Sequence, residues 1–169
     1  MKILLIGGAP NTGKSNAVTM CANYLVNKGF ALVDCQNYSN KKISLPKIAT
    51  GSNSSKDFLA KFEGTDKNGK KITVLITSAS DTTEIIDANF KYFQNTTCDI
   101  YISSVRDIGS VRKYLFSKFN FTSDDKSLIE FPLAKMSRRN ENWFIAKKWY
   151  DSAVQNMLEF ILGSKPFEI

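Results

Sequence analysis

The chain has 169 residues, 43% apolar and 23% charged, the balance of one water-soluble domain large enough to bury a core. Its 23 Lys and Arg against 16 Asp and Glu leave a net charge of +7, which favours anionic partners without choosing among nucleotide, nucleic acid and acidic lipid. With no histidine and three widely spaced cysteines (Cys21, Cys35, Cys98), it excludes Ser-His and Cys-His nucleophile pairs, His-ligated metals and a disulfide framework.

In chain order, the apolar run Ile3–Ile6 predicts a buried strand. A glycine-rich loop follows. Ala17, Met20, Cys21, Tyr24 and Leu25 then recur at helical spacing, with Gly29 as the stop. Phe30–Cys35 predicts a second strand. Residues 39–56 hold four lysines and no acid and predict a long, mobile, basic loop. Phe58, Ala60 and Phe62 alternate with polar or outward positions, Asn68-Gly69 marks a turn, and Ile72, Val74 and Ile76 alternate again. This predicts an antiparallel hairpin. Asp81-Thr82-Thr83-Glu84 has the form of a capping box, with Asp81 as the N-cap of a helix through Gln94. Asp99–Val105 predicts a strand, Asp107–Lys118 a helix, and Ser127–Leu133 a last strand. From Trp143, a stripe through Ala146, Trp149, Tyr150, Ala153, Val154, Met157, Leu158, Ile161 and Leu162 predicts a core-facing helix ended by Gly163.

Alternating strands and helices predict a single domain over residues 1–169. Its fold class is three-layer α/β, a mostly parallel central sheet with one antiparallel hairpin strand and helices on both faces. No apolar run reaches the ~20 residues of a membrane helix, and the N-terminal run is too short for a secretory h-region. A cytoplasmic protein with no membrane partner is expected.

The residues Gly8-Ala9-Pro10-Asn11-Thr12-Gly13-Lys14-Ser15 match G-x-x-x-x-G-K-[ST] at every fixed position, between a strand and a helix. Glycines at those positions let the backbone turn its N–H groups inward around phosphate oxygens, and the helix offers the partial positive charge of its N-terminus. The chain here resembles the P-loop NTPase superfamily. The resemblance implies an α/β P-loop fold that binds a nucleoside triphosphate with Mg²⁺. Gly8, Ala9, Pro10, Asn11, Thr12, Gly13, Lys14, Ser15 and Asn16 would form the phosphate cradle. Lys14 would reach the β- and γ-phosphates, and Ser15 would ligate Mg²⁺.

One expected part is missing. P-loop proteins carry an acid at the end of a second apolar strand. Here KITVLIT ends in Thr77-Ser78-Ala79-Ser80, and the first carboxylate is Asp81. Asp81 is a candidate metal ligand and catalytic acid, or a helix N-cap, or both; Ser78 could hold a metal-bound water.

Three functions fit. In a small-molecule kinase using ATP, Asp34 at the end of the second strand would orient the acceptor hydroxyl. Arg106 and Arg112 would then stabilise charge on the transferred phosphoryl group, with Arg138 and Arg139 as further arginines after the last strand. In a switch-like regulatory NTPase, the basic loop and Ser78–Asp81 would answer to the γ-phosphate, as in small GTPases. The Asp-x-x-Gly and Asn-Lys-x-Asp of those proteins are absent, which favours ATP over GTP. An NTP-linked nucleic-acid-binding protein is the third, resting on the charge and the lysine loop without any binding signature.

Overall fold

The computed structural model describes residues 1–48, 56–122, 127–134 and 143–169, with side chains from Ile145 onward in the last stretch. Ten elements follow one another: β1 (Lys2–Gly7), α1 (Lys14–Asn27), β2 (Ala31–Gln36), β3 (Leu59–Thr65), β4 (Lys71–Thr77), α2 (Thr83–Gln94), β5 (Ile100–Val105), α3 (Ser110–Phe119), β6 (Leu128–Pro132) and α4 (Trp143–Gly163).

The strands form one sheet in the order β2-β3-β4-β5-β1-β6. Pairing is parallel across β4, β5, β1 and β6. β3 alone runs against its neighbours, antiparallel to both β2 and β4. The expected antiparallel strand is therefore present, and β5 separates β4 from β1.

Alternation along the strands sets up two apolar layers. Leu4, Ile6, Val74, Ile76, Ile100 and Ile102 pack with Ala17, Val18, Cys21 and Leu25 of α1 and with Val154, Leu158 and Leu162 of α4. Ile3, Leu5, Leu75 and Tyr101 pack with Ile86 of α2 and with Leu115 and Phe119 of α3. Residues of opposite parity on β1 thus meet different helix pairs, so the sheet lies between two helical layers. Covered on both faces, the central strands are mostly apolar, with Thr77, Ser103 and Ser104 as buried hydroxyls near their carboxyl ends.

Helix exits position the site. The chain leaves β1 into α1 on one face and leaves β5 into α3 on the other. At such a divergence the carboxyl ends of neighbouring parallel strands open a crevice. By that rule the switch point falls at the ends of β1 and β5, whose Gly7 and Val105 are register partners.

Four expectations are corrected. Thr82, not Asp81, is the N-cap of α2, accepting a hydrogen bond from Ile85 N, so the Asp81 carboxylate is not spent on capping. α3 begins at Ser110 rather than Asp107; Gly109 at φ 103° precedes it, leaving Asp107 in the loop. Only part of the stripe on α4 is core: Val154, Leu158 and Leu162 are buried, but Trp149 is 71% and Met157 49% exposed. The stripe is wider than the strip α1 can cover. Finally, residues 39–48 of the expected mobile loop fold back along β2. Ile43 N donates to Cys35 O, and Ile43, Leu45 and Ile48 pack against the α1 layer; residues 49–55 lie outside the described ones.

Candidate functional site

The loop between β1 and α1 is shaped by its two glycines. A Cβ on Gly8 would lie 2.4 Å from Thr12 Oγ1, which donates to Ala9 O. Gly13 sits at φ 92°, a conformation that costs an L side chain roughly 1–2 kcal/mol. Both fixed glycines of the motif thus have a local cause.

α1 starts without a side-chain cap and without an acid in its first turn. Among the described residues, the amides of Thr12, Gly13, Lys14 and Ser15 donate to no protein acceptor. Backbone donors at such a place are usually satisfied by a cap, water or ligand.

Lys14 is buried, and its ammonium donates to Gly8 O at 2.9 Å and Ala9 O at 3.0 Å. Among the described residues no carboxylate lies within ion-pair distance of it. Burial lowers its pKa below the ordinary lysine value; Asp81 and Asp107 act against this, and Arg106 with it. These charges identify its surroundings: the ends of β4 and β5.

Asp81 and Arg106 are both at this edge, paired by Arg106 Nε donating to Asp81 Oδ1 at 3.0 Å. Below them lies a buried hydroxyl network. Thr77 Oγ1 donates to Ser103 Oγ at 2.7 Å, Tyr101 OH lies 2.8 Å from Thr77 Oγ1, and Ser80 Oγ donates to Ser104 O at 2.6 Å. Tyr38, half-buried, bridges Asn89 and Ala79, tying the chain after β2 to the loop after β4. Its desolvation pushes the phenol pKa far up, so it stays neutral.

Ser15 Oγ donates to Asp57 Oδ1 at 3.1 Å and approaches Ser78 O at 3.4 Å. Asp57 was not legible as a site residue. It stands just before β3, and because β3 is antiparallel its beginning lies where the parallel strands end. An acid directly preceding a reversed strand is the signal that could have found it.

Two expected residues are elsewhere. Asp34 lies on edge strand β2, four strand spacings from β1, roughly 19 Å at about 4.8 Å each. Its carboxylate accepts from Tyr92 OH at 3.0 Å. Arg112 reaches the back of the loop but is held by Glu130 of β6, Nη1 to Oε1 at 2.6 Å and Nη2 to Oε2 at 2.7 Å. Its guanidinium also lies over the Phe116 ring, 4.6 Å from the centroid. Arg138 and Arg139 are outside the described residues.

The structure therefore brings together Gly8–Ser15, Ser78, Asp81, Arg106 and Asp57, and leaves Asp34 out. No protein-family model, curated protein or solved structure matches the chain. No helix among the described residues is long and apolar enough to cross a membrane.

Proposed function

We propose that this chain binds a nucleoside triphosphate, ATP in preference to GTP, together with Mg²⁺, and that it catalyses phosphoryl transfer. The observation that carries the reading is Lys14. Among the described residues, the buried ammonium is held by the carbonyls of Gly8 and Ala9 with no carboxylate in ion-pair distance, beside Thr12–Ser15 amides that meet no protein acceptor, which makes a positive site short of negative charge. Leaving such a cation uncompensated costs several kcal/mol, and a polyphosphate tail offsets this. Lys14 would exchange loop carbonyls for β- and γ-phosphate oxygens, while the amides of Thr12–Ser15 would wrap the same group.

The Ser15 hydroxyl is the protein oxygen for the metal. Mg²⁺ takes one or two protein oxygens beside phosphate and water. When bound, the ion would neutralise charge on the transferred group. Arg106 is the arginine placed to assist, with Asp81 orienting its guanidinium. Asp34 is too distant to activate an acceptor, which shifts the balance between a small-molecule acceptor and water toward water.

A switch-like regulatory NTPase is the second reading. The Ser15–Asp57 contact favours it, since the chain entering β3 touches the loop that would hold phosphate. Protease protection of residues 39–56 that is equal with di- and triphosphate would remove it.

Calorimetric titration with Mg·ATPγS tests the main reading. The wild-type chain should bind, and Lys14→Ala should lose binding; equal affinity in the two overturns it.

A further inference from the structure

We infer that Asp57 is the carboxylate that joins Ser15 in holding the divalent cation of the bound nucleotide, supplying from the start of β3 the acid that the end of β4 lacks. This rests on the nucleotide reading above.

The β4 exit, Thr77-Ser78-Ala79-Ser80, has hydroxyls where a carboxylate is expected. Register explains why Asp57 reaches the same place. Leu59 pairs with Thr77, so each step back along β3 matches a step forward from β4. Ser78 N donates to Phe58 O at 3.0 Å, and Phe58 N donates to Ser78 Oγ at 2.7 Å. These two bonds clamp the backbone beside Asp57. Its Oδ1 then accepts from Ser15 Oγ at 3.1 Å and from Ser78 Oγ at 3.4 Å. Asp57 is otherwise exposed to solvent.

The remaining acids at this edge are engaged differently. Asp81 holds Arg106, and Glu130 holds Arg112. Asp107 sits with Glu130 behind Gly7, 3.3 Å from where a Cβ on that glycine would stand. Among the described residues Asp57 is the carboxylate in hydrogen-bond contact with the Ser15 hydroxyl. A hydroxyl and one carboxylate, both hard oxygens, are the usual protein share of a Mg²⁺ shell completed by phosphate and water. Ser78 would keep the carboxylate oriented, as outer hydrogen-bond donors do for metal ligands.

The test compares wild type with Asp57→Asn, Asp57→Glu and the distant control Asp34→Asn. ATPγS affinity is measured by calorimetry with Mg²⁺ and with EDTA, and Mn²⁺ affinity in the presence of ATPγS by electron paramagnetic resonance. Thermal melting checks each fold. Asp57→Asn should weaken Mn²⁺ binding by about 10–100-fold while leaving the EDTA affinity intact. Asp57→Glu should recover part of the loss, and Asp34→Asn should match wild type. Wild-type Mn²⁺ affinity in Asp57→Asn overturns the assignment and leaves the nucleotide reading standing. An equal loss of ATPγS affinity with and without metal also overturns it, since Asp57 would then act on the loop. Absence of ATPγS binding by wild type in both buffers overturns both.

Discussion

Arg112 on α3 and Glu130 on β6 face each other through two parallel hydrogen bonds of 2.6 and 2.7 Å, a planar fork meeting a planar carboxylate. The pair is about three-quarters buried, with side-chain exposures of 26% and 29%. Its hydrogen bond to Glu130 raises the Arg112 pKa further. Arg112 therefore joins a helix to a strand and is not available to a phosphate. Arg112→Ala should lower stability by about 1.5–3 kcal/mol in denaturant unfolding, because Glu130 loses its partner. Nucleotide affinity of the folded fraction should stay within twofold. Lost affinity at unchanged stability would return Arg112 to the site.

The two loop glycines should fail in different ways. Gly13→Ala forces a side chain to φ 92° in otherwise open space, so its cost is backbone strain of about 1–2 kcal/mol. Gly8→Ala meets Thr12 Oγ1 at 2.4 Å and displaces the hydroxyl that closes the loop onto Ala9. Pairing it with Thr12→Ser, which removes a methyl but keeps the hydroxyl, should not rescue it; pairing it with Thr12→Ala should rescue part of the folding stability. Thermal melting of the single and double variants reads this directly.

Asp34→Asn should leave nucleotide affinity and turnover unchanged. The carboxylate lies on the sheet edge with Tyr92, and the amide oxygen of Asn can still accept from that phenol. A steady-state assay with Mg·ATP checks it. A tenfold fall in turnover without a fall in melting temperature would show that the β2 edge takes part in the chemistry.

The thiols should be inert in the native state. Burial pushes Cys21 and Cys98 up to about 12 and Cys35 up to about 11, so each stays a neutral thiol near pH 8. Ellman's reagent at pH 8 should react slowly with native protein and with all three cysteines in guanidinium. The linkage sign follows. The native state keeps these protons in a range where the unfolded chain releases them. Their contribution is therefore full below about pH 9 and is lost as pH rises toward 11–12. Fast native reaction at Cys21 or Cys35 would contradict their burial, and at the half-buried Cys98 its raised pKa.

Much of the fold was legible because burial writes simple periods into the chain. Ile3–Ile6 is continuous because both faces of β1 are covered, and the hairpin strands alternate around Asn68-Gly69, with Gly69 at φ 80°. The stripe on α4 was misleading for the opposite reason. Period shows which residues share a side of a helix, but the breadth of the neighbouring helix decides how many are covered, and Trp149 falls outside.

Sequence alone determined the glycine loop, its lysine and serine, and the helix behind them, since these form one continuous stretch, Gly8–Asn27, and follow from local backbone chemistry. Tertiary structure alone decided which carboxylate stands beside Ser15. Asp34 and Asp81 were the nearer choices by motif, yet sheet order carries Asp34 to the far edge, Arg106 takes Asp81, and the reversed direction of β3 delivers Asp57. Contacts between residues 42 positions apart are fixed by strand order and direction, which no local period encodes.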